Sequence, residues 1–398
     1  MHSIVQILVS VALAGAPQPA DGSAGSQPSQ RTIVELAGED FRINGRLTYS
    51  ELPACPPSLH GLLFNVRAVN ATFDDLDRAL PEGFLDDAGH RPQNGFAGYG
   101  RWDPDANTDR FIAALPFWRA QGVLAVTLCF QGGCSCSRNG ERQVVFAGDR
   151  QTPNNNPFGR DGAPIDRASL RRMKRAIDAL DAQGMVCILG LFYFGQDQRI
   201  SAERDSEAIR IALDAVVDWV LENGWRNVLI EVCNEAAVGG YQHDCLKPHR
   251  IAELFRRVQQ RGRRGDGTRL LVSASSTGKH LPPDSWLREA DFFLPHGNGL
   301  GAGDIRNLVA SYRAHPFWKD RPRPICFNED STRIENLNAA AAAHASWGYY
   351  DDVHFQSVWP ANWQIRSPET NAFFGRVAEL IGLAHPPKPA KRQGSVTP

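Results

Sequence analysis

Residues 228–236 read VLIEVCNEA, an apolar run that breaks off on an amide and a carboxylate. Its length and its content of Val, Leu and Ile are those of a buried β-strand. Side chains alternate along a strand, so Glu231, Cys233 and Glu235 share one face. A second stretch, ICFNED at 325–330, ends its apolar run in the same way, on Asn328 and Glu329. Two buried strands that finish alike require a fold that carries strand ends to a common place.

From residue 33 onward, short apolar runs alternate with segments of helical period. The strand candidates are 61–66, 123–130, 185–192, 228–233, 270–274, 292–295, 324–327 and 353–359. Between them, Leu170, Met173, Ile177 and Leu180 fall on one helix face, with Asp166 as N-cap and Gly184 as stop signal. Ile209, Leu213, Val216, Val217 and Val220 form a second stripe, and Ile251, Leu254, Phe255 and Val258 a third. Strands this apolar are covered on both faces, which argues for a parallel sheet. Eight such units closed into a ring make a single (β/α)8 TIM barrel of the α/β class. The open doubly wound sheet is the competitor, but no Gly-x-Gly-x-x-Gly turn follows the first strand. The stretch FRINGRLTY (41–49) reads as a short N-terminal β-hairpin that plugs the bottom of the barrel. Long loops rich in Gly, Asn, Asp and Pro follow strands one (67–107) and two (131–165) and are expected to wall the active face.

The flanks have other signatures. Residues 1–16 hold a short apolar run followed by small-residue cleavage sites, the pattern of a secretory signal peptide, although no Lys or Arg precedes the run. Residues 17–31 read as a flexible linker, 32–385 as the barrel and 386–398 as a disordered tail. A secreted or periplasmic location follows. The 398 residues are 42% hydrophobic and 22% charged, with a net charge of −1, which suits a large core. That balance gives no reason to expect nucleic acid or insertion into a membrane, and the sequence is silent on oligomeric state. Of the eight cysteines, Cys129, Cys187, Cys233 and Cys326 lie in apolar strands, whereas Cys55, Cys134, Cys136 and Cys245 lie in loop-like sequence and are disulfide candidates of unknown pairing. No Cys/His spacing resembles a zinc site, so neither metal nor cofactor is expected.

In an eight-stranded ring, strands four and seven lie three apart, and their rim side chains face each other across the mouth. Two facing carboxylates are the equipment of glycoside hydrolysis: one donates a proton to the leaving oxygen, and the other attacks the anomeric carbon or activates water. Each Glu taken alone reads better as a helix-capping or solvated loop residue. The two Asn-Glu pairs, at the ends of strands four and seven, are what favour catalysis.

The pattern IEVCNEA and the spacing of the two pairs resemble clan A glycoside hydrolases, notably the family 5-type cellulases and mannanases, and FxINGxxTY agrees with that clan's start. The resemblance covers most of the chain after residue 33, and only its strand ends are specific. It implies a secreted retaining hydrolase of β-glycosidic bonds with carbohydrate as partner. Glu235 would be the acid/base, Glu329 the nucleophile, and Asn234 would hold the sugar 2-hydroxyl. It also places an aromatic on strand eight, here Trp359, as a sugar platform. Where family 5 has a His after strand three and His-x-Tyr on strand six, this chain has GLFYFGQDQ (190–198) and PHGNG (295–299), so the chain reads as a divergent member. Tyr193 and His296 stand as candidates to bond the nucleophile. Arg67, just past strand one, either holds a carboxylate ionised or pairs with the buried Glu231. Gln196, Asp197, Asn298, Asp330, Asp74 and Asp75 are candidate hydroxyl contacts, and Trp102, Phe192, Phe194 and Trp363 candidate sugar-stacking rings. The sequon Asn70-Ala71-Thr72 beside strand one reads as a site-lining segment. The alternative is a carbohydrate-binding pseudoenzyme on the same barrel. A metal-dependent barrel hydrolase would need a ligand cluster at the strand ends, and the sequence displays none.

Overall fold

A computed structural model describes residues 32–74, 103–132, 137–138, 141–142, 154–204, 207–238, 240–278, 280–351 and 363–383. The expected leader (1–16), linker (17–31) and tail (386–398) lie outside the described residues, as do Asp75, Trp102, Cys134, Cys136 and Trp359. No described helix is long and apolar enough to cross a membrane.

Strand one of the ring is Asn65–Arg67, strand two Ala125–Cys129, strand three Val186–Phe192 and strand four Val228–Cys233, each buried throughout. They pair in parallel and in order, with Val66 opposite Val126, Thr127 opposite Ile188, and Leu189 opposite Ile230. Strand five (Leu271–Ser273) pairs with strand four, and its continuation Ser275–Ser276 pairs with strand six, Leu294–Pro295. Strand seven is carried by single parallel bridges, Phe293 to Ile325 on one side and Cys326 to Ser346 on the other. Strand eight, Gly348–Tyr349, pairs with strand one through Gly348 and Asn65. Parallel pairing thus runs round the whole ring, and burial of both strand faces explains their near-continuous apolar character.

The ring closes at Gly348–Tyr349, ahead of the expected strand at 353–359, which lies outside the described residues. The reason is visible at Gly348, where a Cβ would stand 2.3 Å from Asn65 Oδ1 and 2.7 Å from the Phe327 carbonyl. Only glycine lets the chain approach strands one and seven closely enough to close the ring. Its neighbours Trp347 and Tyr349 are fully buried, so two strand residues suffice to close the ring.

A helix follows every strand: Pro104–Ala120, Arg167–Ala182, Glu207–Glu222, Ala252–Arg261, Asp284–Glu289, Ala302–Ala314, Ile334–Ala342 and Pro368–Leu380, with a short Pro316–Asp320 before strand seven. The second of these starts as its sequence dictates, with the Asp166 carboxylate accepting from the Ala168 and Ser169 amides, and it buries Met173, Ile177 and Leu180. The N-terminal segment forms three antiparallel strands, Val34–Ala37, Asp40–Ile43 and Arg46–Leu47, one more than a hairpin. Phe41 is fully buried and meets the Phe292 ring edge-on at 6.4 Å, just before strand six. This sheet therefore sits beneath the barrel, at the end opposite the carboxylates.

Two cysteine expectations are corrected. Cys55 and Cys245 are in no disulfide, and both are buried, Cys245 within the turn Asp244–Leu246. The loop-like sequence around them is folded inward, where a thiol serves as a small apolar group.

Candidate active site

Strand four stops at Cys233, and the chain turns sharply into the short helical turn Ala236–Val238. Glu235 sits in that turn with φ of 44°, a left-handed conformation that a non-glycine residue adopts only when its surroundings enforce it. The enforcing contacts are present. The Glu235 amide donates to Ser275 Oγ at 2.8 Å, and the Tyr241 hydroxyl donates to the carbonyl of Asn234 at 2.5 Å and to that of Phe192 at 3.2 Å. On the facing side, Glu329 bridges in parallel to His296 at the end of strand six. One oxygen of each glutamate and a ring nitrogen of His296 all lie within 4.8 Å of one another.

Arg67 organises this group from below. It is fully buried, its Nε lies 2.5 Å from Glu329 Oε2, and its Nη2 donates to Asn234 Oδ1 at 2.6 Å. Its Nη1 lies 3.7 Å from Glu231 Oε2. Arg67 therefore fills both roles left open by its sequence, holding a rim carboxylate and pairing with Glu231. Burial works against its charge, and the Glu329 and Glu231 carboxylates more than restore it. Asn298 Nδ2 donates to the other oxygen of Glu329 at 2.8 Å, so one Glu329 oxygen accepts a hydrogen bond while the other lies in the ion pair with Arg67.

His296 Nδ1 lies 3.0 Å from Glu235 Oε1 and 3.7 Å from Glu329 Oε2. It bonds the strand-four carboxylate, not the strand-seven one its sequence position suggested. Burial of the imidazole disfavours its charge, but the Glu329 charge and the Glu235 hydrogen bond raise its pKa above the usual histidine value. Burial likewise pushes Glu235 up, and the hydrogen bond and charge of His296, with Arg67 behind them, bring it below the usual carboxylate range. Tyr193 is partly buried. Burial, then the charges of Glu329 and Glu235, push its hydroxyl well above the ordinary phenol value, so it keeps its proton beside them.

The strand ends do assemble a three-donor cluster that the sequence did not display, in Glu235, His296 and Glu329. These donors fit a metal poorly. Both oxygens of Glu329 are taken by Arg67 and Asn298, the imidazole nitrogen faces Glu235, and a guanidinium 2.5 Å from Glu329 repels any cation placed there.

Several expected contact residues are buried and engaged by the protein's own groups. Gln196 is 1% exposed; its backbone N–H donates to the Tyr193 carbonyl at 3.0 Å in a tight turn, and its carbonyl accepts from Gln131 Nε2 at 3.4 Å. Asp197 is buried and holds His243 Nδ1 at 2.9 Å. Asp330 is buried and accepts from Trp347 Nε1 at 2.7 Å and from Asn336. Trp363 is core, packed on Phe111 and Trp118, and Asn70 of the sequon is fully buried. Phe192 is core, whereas Phe194 lies with its ring 4.2 Å from that of Tyr193. One rim aromatic was missed. Tyr350 directly follows strand eight, is partly buried, and adds to the upward push on the Tyr193 hydroxyl. Reading ASWGYY (345–350) as the strand would have found it.

No protein-family model matches the chain, and no curated protein matches it. Among solved structures, a β-glucosidase superposes with a TM-score of 0.51 at 13% identity, covering 82% of this chain and all of that one (100%). The endo-1,4-β-mannanase of Rhizomucor miehei gives 0.49 at 10% identity, over 88% of this chain and 99% of its own. A Bacteroides vulgatus ATCC 8482 chain gives 0.48 at 15% identity over 90% of this chain, which spans 61% of that longer chain. The likeness to the β-glucosidase is one of fold: this chain is built on the same kind of barrel.

Proposed function

We propose that this protein is a retaining β-glycosidase acting on a poly- or oligosaccharide. The observation that carries the reading is the pair of carboxylates at the ends of strands four and seven, with oxygens within 4.8 Å of each other. Inverting enzymes hold their carboxyl groups about 6.5–9.5 Å apart to admit a water, whereas retaining enzymes hold them about 5–5.5 Å apart. Glu329, held in place by Arg67 and Asn298, attacks the anomeric carbon, and Glu235 gives its proton to the departing glycosidic oxygen. In the second half, Glu235 takes a proton from water, and that oxygen displaces Glu329 from the sugar. Two displacements at one carbon return the original configuration. Arg67 fixes the Asn234 oxygen, which leaves the Asn234 amide NH2 to donate to the sugar 2-hydroxyl. Tyr193 and Tyr350 offer flat faces beside the scissile bond. With its apolar N-terminal run, we read the enzyme as exported, to the medium or the periplasm, where such substrates are met.

The test is release of reducing ends from β-glucans, mannans, xylans and galactans. The wild type is expected to act on at least one, and Glu329→Gln to be slower by more than about 10³-fold. Glu235→Ala is expected to regain turnover on glycosides with good leaving groups, which need no proton donor. Full activity of Glu329→Gln on a verified substrate sinks the assignment, and glycan binding without turnover across the panel converts it to the pseudoenzyme reading.

A further inference from the structure

Below the two rim carboxylates lies a buried charge that the proposed chemistry does not use. Glu231 is fully buried inside the barrel. Gly190 on strand three makes room for it, since a Cβ there would stand 3.3 Å from Glu231 Oε2 and 2.5 Å from Cys129 Sγ. The same Glu231 oxygen lies 3.7 Å from Arg67 Nη1 and accepts from Asn328 Nδ2 at 3.2 Å. Asn234, the other strand-end asparagine, accepts from Arg67 at 2.6 Å. Each Asn-Glu pair therefore sends its asparagine to one half of the Arg67–Glu231 ion pair and its glutamate to the rim.

A charge this deep needs a reason other than stability. Replacing a buried ion pair with apolar groups of similar volume is often neutral or stabilising. What an apolar residue cannot do is divide the Arg67 charge between two carboxylates. We infer that Glu231 is a positioning residue for the proposed hydrolysis: by taking a share of the Arg67 guanidinium it limits how tightly Arg67 holds Glu329, and so keeps that carboxylate free to attack. The inference rests on the functional reading for its purpose, and on the geometry alone for the Glu231–Arg67 link.

The groups facing Glu329 are Arg67 from strand one, Cys129 from strand two, Tyr193 after strand three, Glu231 and Glu235 from strand four, and His296 from strand six. Burial pushes the Cys129 thiol up to about 12, and Tyr193 keeps its proton, so neither contributes charge near neutrality. The field at the site is then set by Arg67 against Glu231, Glu329 and Glu235, with His296 as an internal reporter. Arg67 opposes the charge of His296, and Glu329 and Glu235 favour it.

The test is an NMR titration of the His296 ring in wild type, Glu231→Gln and Glu231→Met, a measurement that needs no turnover. Removal of the Glu231 charge leaves Arg67 less compensated, and His296 is expected to titrate lower by about half to one pH unit in both variants. Glu231→Asp, which keeps the charge, is expected to restore most of the wild-type value. On a verified substrate, kcat of both charge-removing variants is expected to fall about tenfold with KM within about twofold, and the acidic limb of kcat/KM to move to lower pH. A residue with a structural role alone would lower the melting temperature and leave the His296 titration in place. Coincident titrations overturn the proposal, as does failure of both charge-removing variants to fold. If Glu329→Gln retains full activity, the functional reading fails while the titration still decides whether Glu231 governs the charge at the site.

Discussion

Glu235 is the proposed proton donor, yet His296 draws its pKa below the usual carboxylate range. The two facts agree if the proton belongs to the pair. Across their 3.0 Å contact the proton can reside on either group, and in the proposed step it is the pair that delivers it to the leaving oxygen. The consequence for stability has a definite sign. Glu235, with its folded pKa depressed, contributes stability above its unfolded value of about 4.3 and loses it as pH falls through the folded value. His296, with its folded pKa raised, contributes fully below its unfolded value of about 6.5 and loses it as pH rises through the folded one. The stability gap between wild type and His296→Asn is therefore expected to be widest between about pH 4.3 and 6.5 and to shrink on either side. Melting temperatures measured across pH check this, and a gap still widening at pH 9 would count against the pairing.

At the scale of elements, the site is a cross-link among strands. Arg67 of strand one reaches Glu231 and Asn234 at strand four and Glu329 at strand seven. Arg67→Met leaves two carboxylates without their shared cation, one of them wholly inside the barrel. It is expected to destabilise the protein by about 3–5 kcal/mol in denaturant unfolding; a loss under about 1 kcal/mol would show that the ion pairs are dispensable to the fold. The strand ends were legible because polar residues break an apolar run visibly, and because the spacing of VLIEVCNEA and ICFNED matches strands four and seven. The helices were legible from their period and caps, as at Asp166 and Gly184. The bond from Asn328 to Glu231 was not, because it depends on how strands four and seven face each other across the barrel, which no local pattern records. The pair Gly348–Tyr349 was missed for a related reason: its position is fixed by the close approach that Gly348 permits, and it is too short to stand out.

For the whole molecule, the barrel sets two carboxylates across one mouth, with Tyr193 beside them and Arg67 beneath. Asp197, Asp330 and Trp363, which looked from sequence like sugar contacts, are buried and engaged by His243, by Trp347 and Asn336, and by Phe111 and Trp118. Their polar or aromatic character was visible, but the direction each side chain takes from a loop was not. The central claim is that Glu329 bonds covalently to the sugar. Incubation with a set of 2-deoxy-2-fluoro-glycosides carrying good leaving groups, followed by peptide mass spectrometry, tests it most directly. One fluoro-sugar is expected on the peptide containing Glu329, with inactivation in step and no labelling of Glu329→Gln. Labelling of a different residue, or hydrolysis of a verified substrate with inverted configuration and no adduct at Glu329, would contradict it.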